Sequence, residues 1–194
     1  MIKLLGLDQS QTATGWAVGT PDDTPPMSGV FRSAPWGNNE GKGILRFGQW
    51  LGSTILKYGV TDVCYEEPFI PQFRVVDIDA IKAMLFLESE INRVCADIGI
   101  GIRKVEIGVW RKRILGTTKA APGLKGSDAT RDLKDKAITA CARQGWLIDD
   151  HNQAEALCVM QFGLSSLSKD YARKTGPMAR RAELQQDIKA FRGE

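Results

Sequence analysis

Carboxylates stand at three points of the chain where an apolar run ends or a helical pattern begins. Asp8 closes the run IKLLGLD, Glu66 follows the run VTDVCY, and Glu155 lies in DDHNQAEAL at the start of a helical pattern. Carboxylates from separate elements that meet at one edge of a sheet repel each other unless cations neutralise them. Two hard divalent ions roughly 4 Å apart suit such a set and promote phosphodiester hydrolysis. The pattern therefore predicts a site for Mg²⁺ or Mn²⁺, with two ions.

The basic residues are concentrated in the middle of the chain. Residues 1–102 carry 8 Lys/Arg against 12 Asp/Glu, residues 103–143 carry 11 against 4, and residues 144–194 carry 7 of each. Such a block predicts a surface that faces phosphates, the alternative being a solvated helix face. Charge alone does not decide between these two interpretations.

Hydrophobic periodicity predicts three hairpin-like strands followed by alternating helices and strands. This order is typical of an α/β domain with a mixed five-stranded sheet flanked by helices, the layout of the ribonuclease H-like fold. We expect this domain over 1–167, a mobile connection at 116–128, and a charged C-terminal tail at 168–194. The predicted strands cover 2–8, 14–19, 28–33, 60–65 and 102–107. The first predicted helix begins after residue 43, and the other four cover roughly 75–97, 108–115, 129–144 and 152–167. Along one face of the 75–97 helix we expect Ile78, Ile81, Leu85, Glu88, Ile91 and Cys95.

Composition excludes several classes of protein. The chain has 194 residues, 43% hydrophobic and 25% charged, as expected for a single folded domain and not for a disordered or low-complexity chain. No apolar run approaches the ~18 residues of a membrane span, and Asp8 comes too early for a signal peptide, which predicts a cytoplasmic protein. Cys64, Cys95, Cys141 and Cys158 form no CxxC pair, so we expect buried thiols and neither zinc nor disulfides.

Nucleotide-binding loops offer a competing interpretation. The segment GLDQSQTATG is similar to the first phosphate loop of actin-like ATPases, which share the predicted fold. Those enzymes need two copies of the fold and a second glycine-rich motif, and this chain has room for one copy. The segment GNNEGKG is not a P-loop, because Gly43 stands where Ser or Thr should bind magnesium.

Three motifs resemble, in order and spacing, those of RuvC-type Holliday-junction resolvases. They are LLGLDQSQTATGWAV, VCYEEPF and DHNQAEALCVM, while VWRKRILG and KAITACARQGW are similar to bacteriophage-encoded members. The resemblance covers about residues 1–165. It implies a homodimeric crossover junction endodeoxyribonuclease in the bacterial host cytosol, which cuts four-way DNA junctions at symmetric positions. The implied metal ligands are Asp8, Glu66 and Glu155.

The last motif departs from the family pattern at two positions. The family usually has Asp where this chain has Glu155, and often a second acid where this chain has Asn152. An amide oxygen is a weaker ligand for a hard ion, so Asp150 or His151 is an alternative fourth ligand. We favour Asp150, because it retains the negative charge that two cations prefer.

The resemblance also implies lysines near the scissile phosphate. Lys119 is the candidate catalytic lysine, and Trp110 or Phe73 could stack on an unpaired base, although we favour Trp110 as a core residue. The 75–97 helix is a candidate dimer interface. A broader nuclease acting on flaps and forks, or a junction-binding module without cleavage, remains an alternative. The candidate DNA contacts are Arg111, Lys112, Arg113, Lys119 and Lys125.

Overall fold

A computed structural model describes residues 2–23, 25–33, 40–68 and 78–167. The predicted tail 168–194 and Phe73 lie outside the described residues. The strands are β1 (Leu4–Asp8), β2 (Ala13–Gly19), β3 (Met27–Arg32), β4 (Asp62–Glu66) and β5 (Gly101–Val105), and the helices are α1 (Glu40–Tyr58), α2 (Ile78–Ile98), α3 (Ile107–Ile114), α4 (Gly126–Ala142) and α5 (His151–Leu167).

The five strands form one mixed sheet in the order β3-β2-β1-β4-β5. Short connections join β1, β2 and β3 as antiparallel neighbours, whereas β1, β4 and β5 run parallel. Parallel neighbours need a crossover connection, which α1 and α2 supply. The predicted α/β architecture is therefore confirmed, including the position of β4 next to β1.

Successive residues of β1 face opposite sides of the sheet, as in any strand. Leu5 and Leu7 belong to a core cluster with residues of α1 and α2. Leu4 belongs to a second cluster with residues of α4 and α5. Gly6 also faces α5, and Asp8, two residues further on, therefore lies on the α5 side of the sheet. The alternation that buries β1 on both faces thus determines which face its terminal carboxylate occupies.

The helix α5 lies very close to the sheet, and Gly6 permits that approach. A Cβ atom at Gly6 would lie 2.5 Å from the carbonyl oxygen of Ala156 and 2.5 Å from the backbone nitrogen of Met160. Backbone atoms cannot rotate away from such an overlap. The distance between α5 and β1 is therefore set by the absence of a side chain at Gly6.

We expect Gly6→Ala to lower the free energy of unfolding by about 1–3 kcal/mol, because the added methyl group overpacks the contact between α5 and the sheet. Gly52→Ala is the matched control in α1, where the nearest atom, Cγ1 of Val94, would be 3.7 Å away. Since alanine is the better helix former, this variant should gain up to ~1 kcal/mol. Urea unfolding of both variants checks the prediction, and equal stabilities would contradict it.

The expected apolar face of α2 is confirmed at Ile91 and Cys95, which are buried, and is wrong at Ile78 and Leu85. Ile78 and Leu85 are 65% and 40% exposed, whereas Leu87 and Val94, which lie outside the expected face, are buried. One step along a helix rotates the side chain by ~100°, so apolar residues on two adjacent stripes gave an ambiguous pattern. The stripe with alanine and leucine packs on the sheet, and the other stays at the surface. The buried residues of α2 are Ala83, Leu87, Glu90, Ile91, Val94 and Cys95.

Two other expectations concern the four cysteines and the residue at which α4 begins. All four cysteines are free and buried, as predicted. The helix α4 begins at Gly126, three residues earlier than expected. Among the described residues, no helix combines the length and apolar character that crossing a membrane requires.

Candidate functional site

Asp8 and Glu66 end two adjacent parallel strands at the same edge of the sheet. The pairing of Leu7 with Tyr65 sets the next residue of each strand, Asp8 and Glu66, side by side. Both side chains are on the α5 side, where Glu155 is buried in the first turns of that helix with 4% of its side chain exposed. The structure therefore brings together the three carboxylates that the sequence motifs singled out.

The electrostatic environment of Asp8 is unfavourable for its charge. Burial raises the pKa of this carboxyl well above its ordinary value, and the negative charges of Glu155 and Glu66 raise it further. The positive charges of Lys134 and Arg111 lower this pKa, but by less than burial and the two carboxylates raise it. Perturbed carboxyls that cluster at a sheet edge are typical of functional sites.

Glu66 is held by the residues around it. Burial and the charge of Glu155 raise its pKa to about 7, while the hydrogen bond from Trp110 opposes the shift. The indole Nε1–H of Trp110 donates to Oε1 of Glu66 over 2.6 Å. The side-chain amide of Gln9 donates to the main-chain oxygen of Glu66 and ties the ends of β1 and β4 together. The carboxylate is thus fixed in position from α3.

Glu155 is paired with two cations. Arg111 donates from Nη2 to Oε1 over 2.7 Å, and Nζ of Lys134 lies 3.5 Å from Oε2. Lys134 also reaches Oδ1 of Asn152 at 3.4 Å, which confirms that Asn152 and Glu155 share one face of α5. Lys134 lies outside the three sequence motifs and the predicted DNA contacts. Two features could have pointed to Lys134. It belongs to the basic block 103–143, and it lies on α4, which packs against α5, the helix that carries the third motif.

The remaining candidates at the start of α5 have other partners. Oδ1 of Asp150 accepts the backbone N–H groups of Asn152 and Gln153, at 2.9 and 3.1 Å, and so caps the helix. Oδ2 of Asp150 lies 3.3 Å from Nη2 of Arg32 on β3. His151 pairs with Asp135 on α4 at 2.7 Å. A role for Asp150 as fourth ligand stays a prediction.

The residue types suit a divalent cation, although the side chains are not yet arranged around one. Within the described ranges, no group of three or more His, Cys, Asp or Glu side chains is placed to hold a metal ion. The donors are nevertheless hard oxygens; burial and their mutual repulsion raise the pKa of Asp8, and a bound cation would relieve the repulsion. A cation would have to compete with Arg111 and Lys134 for Glu155. The predicted ion, Mg²⁺ or Mn²⁺, is compatible with the carboxylate oxygens of Asp8, Glu66 and Glu155.

The predicted DNA contacts separate into two groups. Arg111 points inward to Glu155, and its side chain is only 13% exposed. Lys112, Arg113, Lys119 and Lys125 are exposed, on α3 and on the connection that follows it. Trp110 is fully buried, as favoured from the sequence, and it also contacts the site through Glu66.

Trp110→Phe tests whether the indole N–H positions Glu66. We expect a loss of about 1–2 kcal/mol in the free energy of unfolding, because Glu66 loses a hydrogen bond in a buried site. The Mg²⁺ concentration that gives half of the maximal increase in melting temperature should also change. Trp146→Phe is the matched control, because the buried Nε1 of Trp146 has no hydrogen-bond partner in the described part of the chain. The same change in metal response in both variants would contradict the prediction.

The raised pKa of Glu66 predicts how the stability of the metal-free protein depends on pH. A carboxyl whose pKa rises from 4.5 to about 7 on folding binds its proton more tightly in the folded state. Its contribution is therefore complete below pH 4.5 and is lost as the pH rises through 7. The complete loss is on the order of 3 kcal/mol. In EDTA, Glu66→Gln should flatten the decline in unfolding free energy between pH 5 and 8, whereas Glu67→Gln, at an exposed neighbour, should not.

Comparisons with known proteins give a match in structure and none in sequence. No protein-family model matches the chain, and no curated protein matches it. RuvC of Thermus thermophilus superposes with a TM-score of 0.59 at 12% identity, over 82% of this chain and 91% of RuvC. The same RuvC in complex with a Holliday junction substrate gives 0.58 at 10% identity, over 82% and 90%. The yeast mitochondrial Holliday junction resolvase Ydc2 gives 0.52 at 9% identity, over 81% and 75%.

At these identities the likeness establishes the fold. The chain has the ribonuclease H-like fold of RuvC, as the order of its elements predicted. These neighbours are resolvases of the type that the three sequence motifs resemble.

Proposed function

We propose that this protein is a structure-selective endonuclease that resolves four-way DNA junctions by metal-dependent hydrolysis of phosphodiesters. One observation carries the proposal: Asp8, Glu66 and Glu155, from three separate elements, lie together at one edge of a RuvC-like sheet, where burial and repulsion raise the pKa of Asp8. Such an arrangement has no structural benefit, since each buried charge costs stability. Catalysis with divalent cations gives it a purpose.

The residues proposed to hold Mg²⁺ or Mn²⁺, as two ions, are Asp8, Glu66 and Glu155, with Asp150 or Asn152 as a further ligand. The cations would supply a water of lowered pKa and neutralise charge on the phosphate. The chain's own part is to hold the carboxylates. Trp110 fixes one oxygen of Glu66, and Arg111 fixes one oxygen of Glu155.

Lys134 is proposed to serve the substrate phosphate. Its Nζ lies 3.5 Å from Oε2 of Glu155, and its side chain is 30% exposed, so it is accessible from the surface. When the carboxylates bind metal, the ammonium group of Lys134 would lose its pairing with Glu155. It would then be free to bind a phosphate oxygen. Lys119 remains a second candidate for that contact.

The basic surface formed by Lys112, Arg113, Lys119 and Lys125 is proposed to bind the DNA backbone. All four side chains are exposed and lie on α3 or on the connection that follows it, and Trp110 and Arg111 of α3 contact the carboxylates. Phosphates bound there would lie near the reacting edge of the sheet.

A homodimer is proposed through α2. Ile78, Leu85 and Phe86 are 65%, 40% and 39% exposed on this helix, which is unusual for large apolar side chains. A two-fold dimer would present two equivalent sites to the two symmetric strands of a four-way junction.

The decisive experiment compares an immobile four-way junction with a flap, a fork and a linear duplex, all end-labelled. Each is incubated with the protein in Mg²⁺, Mn²⁺ or EDTA, and with Asp8→Asn. Paired symmetric nicks in the junction alone, lost in EDTA and in the variant, are the expected result. Equal cutting of flaps and forks would indicate a broader nuclease, and binding without nicks in either metal would indicate a junction-binding module.

A further inference from the structure

An open groove of about 510 Å³ lies beside the edge strand β3, away from the basic surface. Phe31 of β3 and Trp50 of α1 form one wall, with their rings stacked at a centroid distance of 4.4 Å and an interplanar angle of 16°. Arg32 and Arg46 also line it. Two aromatic rings and two guanidinium groups around one open groove combine the features that bind an unpaired nucleotide.

The groove lies at the same end of the sheet as the carboxylates. Arg32 is the last residue of β3, and Asp8, Gly15 and Val30 form one row across three neighbouring strands. The strands β1 and β3 are two strand spacings apart, which is roughly 10 Å. Phe31 and Trp50 pack on the α1 side of the sheet, whereas Asp8 lies on the α5 side, so a strand that leaves the carboxylates reaches the groove around the edge strand β3. Arg32 further links the groove to the site through its contact with Asp150.

The charge of the groove is available to a ligand. Arg46 is exposed on α1 and makes no salt bridge with the described residues. Arg32 is 70% exposed, and its pairing distance of 3.3 Å to Asp150 describes a weak surface contact. Phe31 and Trp50 are only partly buried, so their rings remain accessible from the groove.

We propose that this groove binds one single-stranded segment of DNA that continues from the cleavage site, with a base on the Phe31–Trp50 pair and phosphates on Arg32 and Arg46. The inference rests on the proposed function, because it takes branched DNA as the ligand. It adds a second contact on the other side of the carboxylates from the basic surface. Nucleotides whose pairing opens at a junction centre would supply such a segment, whereas a continuous duplex would not.

The test compares two charge reversals on α1 in the Asp8→Asn background, which prevents cleavage. Arg46→Glu changes the groove, and Lys57→Glu changes an exposed cation about 16 Å further along the same helix. Fluorescence anisotropy measures binding of a labelled four-way junction and of single-stranded oligothymidylate at several salt concentrations. Arg46→Glu should weaken both about 5-fold or more and reduce the slope of log K against log salt by about 1, as expected when one phosphate contact is lost.

Trp50→Leu provides an independent measurement, because it removes a stacking surface and no charge. It should weaken binding of oligothymidylate about 5-fold with an unchanged salt slope, and thermal melting confirms that each variant is folded. The same affinity and slope for Arg46→Glu and Lys57→Glu would overturn the proposal. If Arg46 matters for single-stranded DNA while no junction is cut by the unmodified protein, the groove stands and the resolvase function fails. If junctions are cut and Arg46→Glu binds normally, the groove alone fails.

Discussion

Asp8→Asn is expected to lower the rate of junction cleavage about 1,000-fold or more, while junction binding stays the same or becomes tighter. Asparagine keeps the shape of the side chain and removes the charge that a divalent cation needs. Loss of metal-assisted charge stabilisation worth ~4 kcal/mol corresponds to this factor. Removal of a negative charge beside the phosphates favours DNA binding.

The same substitution has a second readout in the absence of metal. Because burial, Glu155 and Glu66 raise the pKa of Asp8, its ionised form destabilises the folded protein at neutral pH. Asp8→Asn should therefore raise the melting temperature in EDTA. Asp97→Asn, at an exposed residue paired with Arg93 on α2, is the control and should leave cleavage unchanged. Loss of binding and of thermal stability together would identify Asp8 as a structural residue.

Arg111→Met is expected to lower the free energy of unfolding in EDTA by about 3 kcal/mol. Arg111 lies 2.7 Å from Glu155, and both side chains are almost inaccessible to solvent. Removing one partner of such a pair leaves a buried charge with insufficient compensation. Lys134, at 3.5 Å, supplies only part of the missing attraction. Mg²⁺ should narrow the difference between the variant and the unmodified protein, because a cation on the carboxylates replaces the lost charge.

Lys112→Met is the matched control, one residue further along α3 and exposed. It should change unfolding free energy by less than about 0.5 kcal/mol, yet weaken DNA binding. A double-mutant cycle of Arg111→Met with Glu155→Gln separates the pair from the individual residues. A coupling energy near zero would contradict the contact between Arg111 and Glu155. Equal losses of unfolding free energy in Arg111→Met and Lys112→Met would also contradict it.

Most of the sheet could be predicted from local patterns. The run IKLLGLD and its counterpart VTDVCY are short, apolar and bounded by polar residues, which is enough to define strands that end on carboxylates. The antiparallel beginning and the helical crossovers then place β4 beside β1, because connections are short and parallel strands need a crossover. Asp8, Glu66 and Glu155 were found for this reason.

The apolar face of α2 could not be predicted in the same way. Its sequence carries hydrophobic residues on two adjacent stripes, such as Leu85 and Leu87, and periodicity does not say which stripe the sheet covers. The choice depends on the shape of the surface that α2 packs against. The other stripe then remains available for a partner.

The partners of the carboxylates were also decided only by the tertiary structure. Arg111 and Lys112 are neighbours in one basic block, and charge assigned both to the DNA surface. Folding turns Arg111 inward to Glu155 and leaves Lys112 at the surface, because α3 packs one face against α5. Lys134 reaches the site from α4 for the same reason. Residue type and local order thus determine which chemistry the chain carries, whereas contacts between residues distant in sequence determine which charges meet, since these depend on how helices pack and not on local pattern.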